Sequence, residues 1–274
     1  MIKRYPTVLT IAGSDSGGGA GIQADLKTVA ALGAYGTSAI TALTAQNTTG
    51  VRAIHAVPPE FLRQQLEAVF EDFTIDAVKI GMVNTAETAQ VIAGALADYQ
   101  PRFVVFDPVM VSTSGSRLIR EDAVDALWQE LLTRADLITP NIDEAEILVS
   151  EKITDLKSMQ HAAGILLEKG CKAVLLKGGH LAGPVIRDVL ALQNTGSLVL
   201  ESDYIRSPNV HGTGCTLSSA IATYVALGHS LTDAVVLAHQ YVAGAIGHGR
   251  DVITGHGPGP LNHSFSPLPM QVIS

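Results

Sequence analysis

The chain has 274 residues, of which 47% are hydrophobic and only 5% aromatic, and its formal net charge at pH 7 is −8. This length and aliphatic-rich composition predict a single α/β domain over residues 1–274. The acidic balance, without a Lys/Arg cluster, argues against nucleic acid as a partner, and no apolar run is long enough to span a bilayer. Two cysteines exclude a disulfide framework and no targeting segment is visible, so we expect a cytoplasmic protein that acts on small molecules.

The first half of the chain alternates predicted strands and helices. Short aliphatic runs predict strands at 7–11, 37–44, 76–82 and 103–110. Helical periodicity between them predicts helices at 22–32, 58–73 and 85–97.

A glycine-rich loop at 12–21 follows the first predicted strand. Its spacing fits neither a P-loop nor the Gly-x-Gly-x-x-Gly of a dinucleotide fold in any frame. We therefore expect its glycines, Gly13 among them, to let a substrate approach the backbone closely. Asp25, at the start of the next helix, suits a ligand contact and equally suits a favourable charge near a helix N-terminus.

Polar or soft side chains stand at the ends of the next three predicted strands. The amide of Gln46 can pair with one edge of a nitrogen heterocycle, although satisfying neighbouring backbone is its commoner role. Met82 can pack against a ligand or belong to the core. Asp107 ends the fourth strand, where open parallel sheets bind ligands, and the polar segment 112–118 after it is a candidate lid.

The second half repeats the alternation and ends differently. Helices are predicted at 121–133, from about 143, after 212 and at 230–247, where Ser230 and Asp233 fit a capping box. Strands are predicted at 136–139, 173–180, 186–192 and 197–205, the last two as an antiparallel pair, and 255–264 is predicted to be irregular.

Two charged groups in this half suit a metal and a triphosphate. Glu144, like Asp107, is a hard oxygen ligand of the kind that Mg²⁺ prefers, and the alternative is that it only supplies negative charge to a helix N-terminus. Lys177, followed by Gly178 and Gly179, places a cation where a triphosphate could bind.

Segment 209–219 runs from a Gly-x-Gly turn directly into a helix. Unpaired N–H groups and the positive end of the helix dipole predict a pocket for an anion such as phosphate. The same helix end predicts a lowered pKa for Cys215, from about 8.5 towards neutrality, so that it can accept a proton. Alternatively, Gly212 and Gly214 form only a tight loop and Cys215 is a small buried residue.

At least five strand ends thus carry glycine, hydroxyl, amide or charged groups on one rim of the predicted sheet. Strands that alternate with helices at this spacing predict right-handed βα units. We therefore predict a three-layer α/β/α sandwich with a mostly parallel central sheet.

Five segments carry a resemblance to a known family: GSDSGGGAGIQAD at 13–25, TAQNT at 44–48, DPVM at 107–110, TPNIDEA at 139–145 and HGTGCTLS at 211–218. Almost end to end, the chain is similar to the hydroxymethylpyrimidine and phosphomethylpyrimidine kinases of thiamine biosynthesis, which have the ribokinase-like fold. Most ribokinase-like relatives carry Asp where this chain has Cys215, and cysteine there marks this branch.

The resemblance implies ATP-dependent phosphorylation of 4-amino-5-hydroxymethyl-2-methylpyrimidine and then of its monophosphate. It implies that Cys215 takes the hydroxyl proton while backbone N–H groups of Gly212, Thr213 and Gly214 stabilise the transferring phosphoryl group. The residues that resemble the aminopyrimidine site are Asp25, Gln46, Met82 and Val109. Those that would position Mg²⁺ are Asp107 and Glu144, and those that would face the triphosphate are Asn141 and Lys177.

Several alternatives stay open at the level of sequence. The chain also suits a pyridoxal or pyridoxine kinase, because that substrate too is a flat heterocycle with a hydroxymethyl group. A catalytically idle ligand sensor is a further reading, against which Cys215, Lys177, Glu144 and Asp107 speak together. The family is usually dimeric, so we expect a homodimer, with elements after Ile40 or Gln46 as candidate contacts. A requirement for K⁺ is undetermined.

Overall fold

A computed structural model describes residues 3–110, 123–179, 181, 183–193 and 195–273. The predicted lid at 112–118 lies outside the described residues. Within them, no helix is both long enough and apolar enough to cross a membrane.

Strands and helices alternate through most of the chain, as predicted. The strands are β1 (Thr7–Asp15), β2 (Tyr35–Asn47), β3 (Gly50–Ala56), β4 (Ala77–Ile80), β5 (Val104–Phe106), β6 (Leu137–Ile138), β7 (Ala173–Leu176), β8 (Val185–Leu192) and β9 (Gly196–Asp203). The helices are α1 (Gly21–Ala31), α2 (Pro59–Asp72), α3 (Ala86–Tyr99), α4 (Ala123–Leu127, continued by a π-helical turn at Trp128–Leu132), α5 (Ile142–Val149), α6 (Leu156–Glu168), α7 (Thr213–Ala226) and α8 (Leu231–Gly249).

One nine-stranded sheet organises these elements in the order β3-β2-β1-β4-β5-β6-β7-β8-β9. The six strands from β2 to β7 in this order run parallel, and β3, β8 and β9 join antiparallel at the two edges. The mostly parallel sheet is therefore confirmed, and the carboxyl ends of its central strands meet on one rim.

Helices cover both faces of the sheet, because alternate residues of each buried strand point to opposite sides. In β1, Val8 packs into the core beneath α1, α7 and α8, whereas Leu9 packs into the core beneath α2 to α6. Because both faces of the sheet pack against apolar cores, its central strands are continuous aliphatic runs in the sequence. The predicted three-layer arrangement is confirmed.

The main differences lie at the edges and ends of strands. Strand β3 was not predicted, and β2 extends beyond its predicted end at residue 44 through Gln46 to form a hairpin with β3. The side chains of β3 are largely exposed, so no apolar alternation marks it in the sequence. Strands β5 and β6 are shorter than predicted, and a proline follows each within two residues.

Candidate active site

A cavity of about 700 Å³ opens at the carboxyl ends of the parallel strands. It contains nearly all of the residues that the sequence analysis selected, although they come from separate loops. Those that line it are Gly13, Gln46, Met82, Asp107, Val109, Asn141, Glu144, Lys177, Gly212, Thr213, Gly214 and Cys215.

The N-terminus of α7 forms one wall of this cavity. Gly212 precedes the helix with a φ of 87°, and a Cβ atom there would overlap the carbonyl of Gly19, so both the conformation and the space require glycine. The first intrahelical bond runs from the N–H of Thr216 to the Gly212 carbonyl at 2.9 Å. The N–H of Thr213 donates to the Val210 carbonyl at 3.3 Å. The residues between Thr213 and Thr216 lie in the first turn of α7, so no preceding helical turn accepts their N–H groups. An anion pocket requires such N–H groups.

Gly214 allows two charged side chains to approach this helix end. A Cβ atom on Gly214 would lie 3.2 Å from Nζ of Lys177 and 3.5 Å from Oδ2 of Asp107. Lys177 and Asp107 are themselves paired, with 2.8 Å between Nζ and Oδ1, and Thr139 donates to the same oxygen at 2.9 Å. A phosphoryl group at the start of α7 would therefore lie beside a cation.

The charges on this pair follow from its surroundings. Burial favours the neutral form of Asp107, but Lys177 and Lys79 outweigh it and hold its pKa below the usual value. Burial likewise opposes the charge on Lys177, but Asp107 and Glu144 raise its pKa. Both groups are therefore ionised at neutral pH.

Asn141 and Glu144 cap helix α5 and also face the cavity. The Asn141 side chain accepts from the Glu144 N–H at 2.9 Å, and Oε2 of Glu144 accepts from the Asn141 N–H at 2.8 Å. Glu144 therefore does act at a helix N-terminus, which was the alternative role left open by the sequence. Asn141 forms the other half of this capping box. The other oxygen of Glu144 has a long contact, 3.4 Å from the N–H of Met110.

The donor set at this end of the cavity fits a hard cation. The pKa of Glu144 is raised to about 7, mainly by burial; the charge of Asp107 contributes to the rise, and Lys177 acts in the opposite direction. Two carboxylates close enough to repel each other gain from a divalent ion between them. Among the described residues no cluster of three or more His, Cys, Asp or Glu forms a metal cage. Mg²⁺ is commonly bound by only one or two carboxylates, keeps several waters and shares phosphate oxygens.

Cys215 lines the cavity, but its predicted ionisation was wrong. Burial, the largest effect, raises the pKa of its thiol to about 11, although Lys79 and an N–H from Gly21 act in the opposite direction. Asp25 and Asp107 add to the rise. The helix end alone predicted a lowered pKa; loss of solvent and two nearby carboxylates outweigh it.

Asp25 lies beneath the cavity and does not line it, so the structure does not place it in contact with a substrate. Its carboxylate is fully buried and accepts from Thr10 at 2.6 Å, from Ser219 at 2.5 Å and from Lys79 at 2.8 and 3.0 Å. The sequence analysis did not select Lys79. A lysine inside the short aliphatic strand β4 was the available signal, because buried lysines require a partner.

The glycine-rich loop is organised by Asp15, another residue that the sequence analysis missed. Its carboxylate accepts the N–H groups of Gly17, Gly19 and Ala20 at 2.8 to 3.0 Å and lies 3.0 Å from Nε2 of His211. Burial opposes its charge, but His211 and the N–H groups of Gly17 and Ala20 lower its pKa. The contact between Asp15 and His211 therefore holds the glycine-rich loop against the segment that precedes Gly212.

The opposite end of the cavity combines one amide with apolar side chains. Gln46 accepts from the hydroxyl of Thr44 at 3.1 Å, and its Nε2 lies 3.3 Å from Nε2 of His211. Met82 packs against Gly13, where a Cβ atom would lie 2.7 Å from its Cε. Val109 completes this part of the lining. An amide that faces apolar walls suits a flat ring with polar edges.

Gly178 is not placed as expected. Its N–H donates to Oδ1 of Asp188 at 2.7 Å and a Cβ atom there would overlap a β8 carbonyl, so the group is engaged within the fold. Gly179 lines the cavity instead. Asp188 also lies 2.9 Å from Nε2 of His239 in helix α8, although the angles at this contact are not those of a hydrogen bond.

The sheet therefore directs loops from distant parts of the chain to one cavity, and that cavity ends on a helix N-terminus suited to a phosphoryl group. Solved small-molecule kinases of the ribokinase-like class share this architecture. The chain belongs to the phosphomethylpyrimidine kinase family, whose model matches residues 15–262.

Individual relatives agree with this assignment. A hydroxymethylpyrimidine/phosphomethylpyrimidine kinase from Haemophilus influenzae is 48% identical over 259 residues, 93% of this chain and 96% of that protein. A thiamine biosynthesis bifunctional protein from Geobacter sulfurreducens is 52% identical over 257 residues, 94% of this chain. The match covers 52% of the Geobacter protein, so this chain spans about half of that relative.

Solved structures show the same fold. A phosphomethylpyrimidine kinase from Clostridium difficile superposes with a TM-score of 0.78 at 46% identity, over 88% of this chain and 99% of that one. An ADP complex of Bacillus subtilis pyridoxal kinase gives 0.87 at 33% identity, over 95% and 98%. The chain is thus a phosphotransferase of a thiamine-biosynthetic family, and the sensor alternative is not retained.

Proposed function

We propose that this chain transfers the terminal phosphoryl group of ATP to 4-amino-5-hydroxymethyl-2-methylpyrimidine and then to its monophosphate. The observation that carries the proposal is the meeting of Cys215, the start of α7 and the Lys177–Asp107 pair in one cavity. The relatives named as kinases of both pyrimidines provide the substrate class.

The substrate ring is proposed to bind between Met82 and Val109, with Gln46 pairing with its polar edge. This orientation directs the hydroxymethyl group towards Cys215. The hydroxyl oxygen then bonds to the γ-phosphorus of ATP, the bond to the ADP oxygen breaks, and the hydroxyl proton passes to Sγ of Cys215, which accepts it as the thiolate, the minor form at neutral pH.

The nucleotide is proposed to lie along the other half of the cavity. Lys177 and Asn141 would face the phosphates, and the first-turn N–H groups of α7 would stabilise charge on the transferring group. Five apolar side chains also line the cavity and would suit adenine: Ile186, Val210, Leu217, Val242 and Ile246. Mg²⁺, when bound by Asp107 and Glu144, would neutralise phosphate charge.

The test is a parallel assay with ATP and Mg²⁺ on the pyrimidine, its monophosphate and pyridoxal, with products resolved by mass. Phosphorylation of both pyrimidines with poor use of pyridoxal supports the proposal. Preferred use of pyridoxal would move the chain to vitamin B6 salvage, an alternative that the likeness to pyridoxal kinases makes worth testing. Omitting K⁺ from the same assay tests the monovalent requirement.

A homodimer is proposed on the basis of the hairpin of β2 and β3. Strand β3 forms an edge of the sheet, and both of its faces are exposed, including Ile54 at 39%. Exposed edges of this kind readily pair with a second chain. Light scattering of the wild type and of Ile54→Asp tests the homodimer, and we expect the variant to lose the dimer.

The cytoplasmic location expected from the sequence stays a prediction.

A further inference from the structure

The side-chain amide of Gln46 lies between two polar side chains at the end of the cavity proposed for the substrate ring. Its Oε1 is 3.1 Å from the hydroxyl oxygen of Thr44, and its Nε2 is 3.3 Å from Nε2 of His211. The backbone of Gln46 is fixed, because the Ser16 hydroxyl donates to its carbonyl at 2.6 Å and accepts from its N–H at 2.9 Å. With the backbone held, the hydrogen-bond roles of Thr44 and His211 decide which way the amide faces.

His211 presents a hydrogen on Nε2. This atom lies 3.0 Å from Oδ2 of Asp15, which is ionised at neutral pH and can therefore only accept. The same oxygen accepts the N–H groups of Gly19 and Ala20 at 3.0 and 2.9 Å, so every neighbour of this oxygen is a donor. Nε2 of His211 is thus a donor, and it faces a second donor, Nε2 of Gln46.

Thr44 has one hydroxyl hydrogen and two carbonyl oxygens near it. The backbone carbonyl of Ser14 lies at 3.0 Å and Oε1 of Gln46 at 3.1 Å, and only one of them can receive the hydrogen in a well-aligned bond. If Gln46 presented an N–H here, the hydroxyl would accept from Gln46 and donate to Ser14. Both contacts would then be hydrogen bonds.

We propose that His211 and Thr44 set the Gln46 amide with Oε1 towards His211 and Nε2 towards Thr44, and that this polarity selects the substrate ring. A half turn about the Cγ–Cδ bond of Gln46 gives this orientation and removes both mismatches. The hydrogen on His211 is then shared between Asp15 and Gln46. One lone pair of Oε1 and one hydrogen of Nε2 remain for the ring. His211 is therefore a positioning residue that determines specificity through Gln46.

The polarity left for the ring matches an aminopyrimidine. The amino group on ring carbon C4 donates, ring nitrogen N3 beside it accepts, and the hydroxymethyl group is on C5, on the other side of the amino group. With the amino group on Oε1 and N3 on Nε2, the hydroxymethyl group lies on the side of His211, where the chain continues through Gly212 into α7. Pyridoxal carries an aldehyde, an acceptor, next to its hydroxymethyl group, and this acceptor would face Oε1. The selection of the ring rests on the proposed function, whereas the orientation of the amide does not.

The first test determines the orientation directly, in the full-length protein without substrate. The side-chain ¹⁵N–¹H signals of Gln46 are identified by their absence in Gln46→Glu, and nuclear Overhauser effects show which groups lie near the amide hydrogens. We expect stronger effects to the methyl group of Thr44 than to the ring hydrogens of His211. The reverse order would overturn the proposal.

The second test compares two ring compounds whose edges have opposite polarity. They are the aminopyrimidine substrate and its 4-oxo analogue, in which C4 carries an acceptor and N3 carries a hydrogen. Calorimetric titration gives the two Kd values, and we expect the wild type to prefer the amino compound by about 10² or more. His211→Phe should lower this ratio at least about tenfold, because the amide can then turn to fit either edge. Thr44→Val should lower it in the same direction, so the test survives poor folding of one variant.

A merely structural role of His211 gives a different result. Loosening of the glycine-rich loop would weaken both compounds equally, and an unchanged ratio in His211→Phe and Thr44→Val would overturn the proposal. The matched control is His229→Phe, just beyond the other end of α7, where an exposed ring packs edge-on against Tyr224 with 5.6 Å between centroids. This variant should keep the wild-type ratio. If neither compound binds the wild type, the proposed function fails, and the Overhauser pattern by itself decides the orientation of Gln46.

Discussion

Nζ of Lys177 lies 2.8 Å from Oδ1 of Asp107, and these two residues end different parallel strands, β7 and β5. The pair contacts the start of α7 only because residue 214 has no side chain. Its place in the cavity leads to the first prediction.

We expect Lys177→Met to lower kcat/KM for ATP by about 10² or more, because a phosphate group then loses its cation and Asp107 its partner. The measurement is steady-state ADP release at varied ATP. The matched control is Lys172→Met at the other end of β7, where an exposed lysine pairs with Asp136 at 2.8 Å. A similar loss in both variants would show that the effect is not specific to the cavity.

Cys215→Ala should reduce kcat by about 10² or more and leave substrate binding within a small factor, because a positioned base acts mainly on the transition state. Steady-state kinetics and calorimetric titration with the pyrimidine separate these effects. Cys171→Ala is the control: this buried cysteine lies in the core, away from the cavity, so its loss affects stability and not turnover. Unchanged turnover in Cys215→Ala would eliminate the base assignment.

Gly214→Ala should separate activity from stability. Alanine favours helix by about 0.5–1 kcal/mol over glycine, so the free energy of unfolding should not fall appreciably. The new methyl group, 3.2 Å from Nζ of Lys177, intrudes on the phosphoryl position, and we expect kcat to fall at least about tenfold because the transferring group is displaced.

The control for this substitution is Gly247→Ala in α8, where no atom lies within 4 Å of the new Cβ. That variant should gain the helix stabilisation and keep full activity. Denaturant unfolding and the kinase assay on both variants provide the comparison. Full activity in Gly214→Ala would remove the first turn of α7 from the site.

His263 should make stability depend on pH. Its ring is 4% exposed and lies 3.0 Å from the Thr216 hydroxyl; burial, with Lys27 nearby, lowers its pKa to about 4. The unfolded chain takes up the proton near 6.5, so stability is fully present above that pH and declines as pH falls towards 4. The loss should total roughly 3 kcal/mol.

Urea unfolding across this range, compared with His263→Gln, measures the effect. The variant should lose the pH slope that belongs to this group. His161→Gln replaces a largely exposed histidine and should retain the slope. An identical slope in the wild type and in His263→Gln would contradict the prediction.

Much of this architecture could be predicted from the sequence because its signals are local. Aliphatic runs and helical periodicity reside in neighbouring residues, and so do the Gly-x-Gly approach to α7 and the charged residues at strand ends. Strand β3 was not predicted because its side chains are exposed on both faces, which removes the alternation of apolar and polar residues on which a strand prediction depends. The role of Asp15 was not predicted because its carboxylate accepts from backbone N–H groups, and no pattern of side chains in the sequence indicates such contacts.

The chemistry of the site was less predictable because it depends on residues far apart in the chain. The residue types that meet at the cavity, and the helix end that they surround, follow from local sequence. The state of Cys215 does not, because its pKa reflects burial together with Lys79, Asp25 and Asp107, which α1, β4 and β5 bring to it. The sequence likewise left Asp25 open between a ligand contact and a helix-end charge, whereas its partners in the structure are Lys79, Ser219 and Thr10. Electrostatic free energies depend on three-dimensional distance and on solvent exclusion, and neither is encoded in the spacing of residues along a chain.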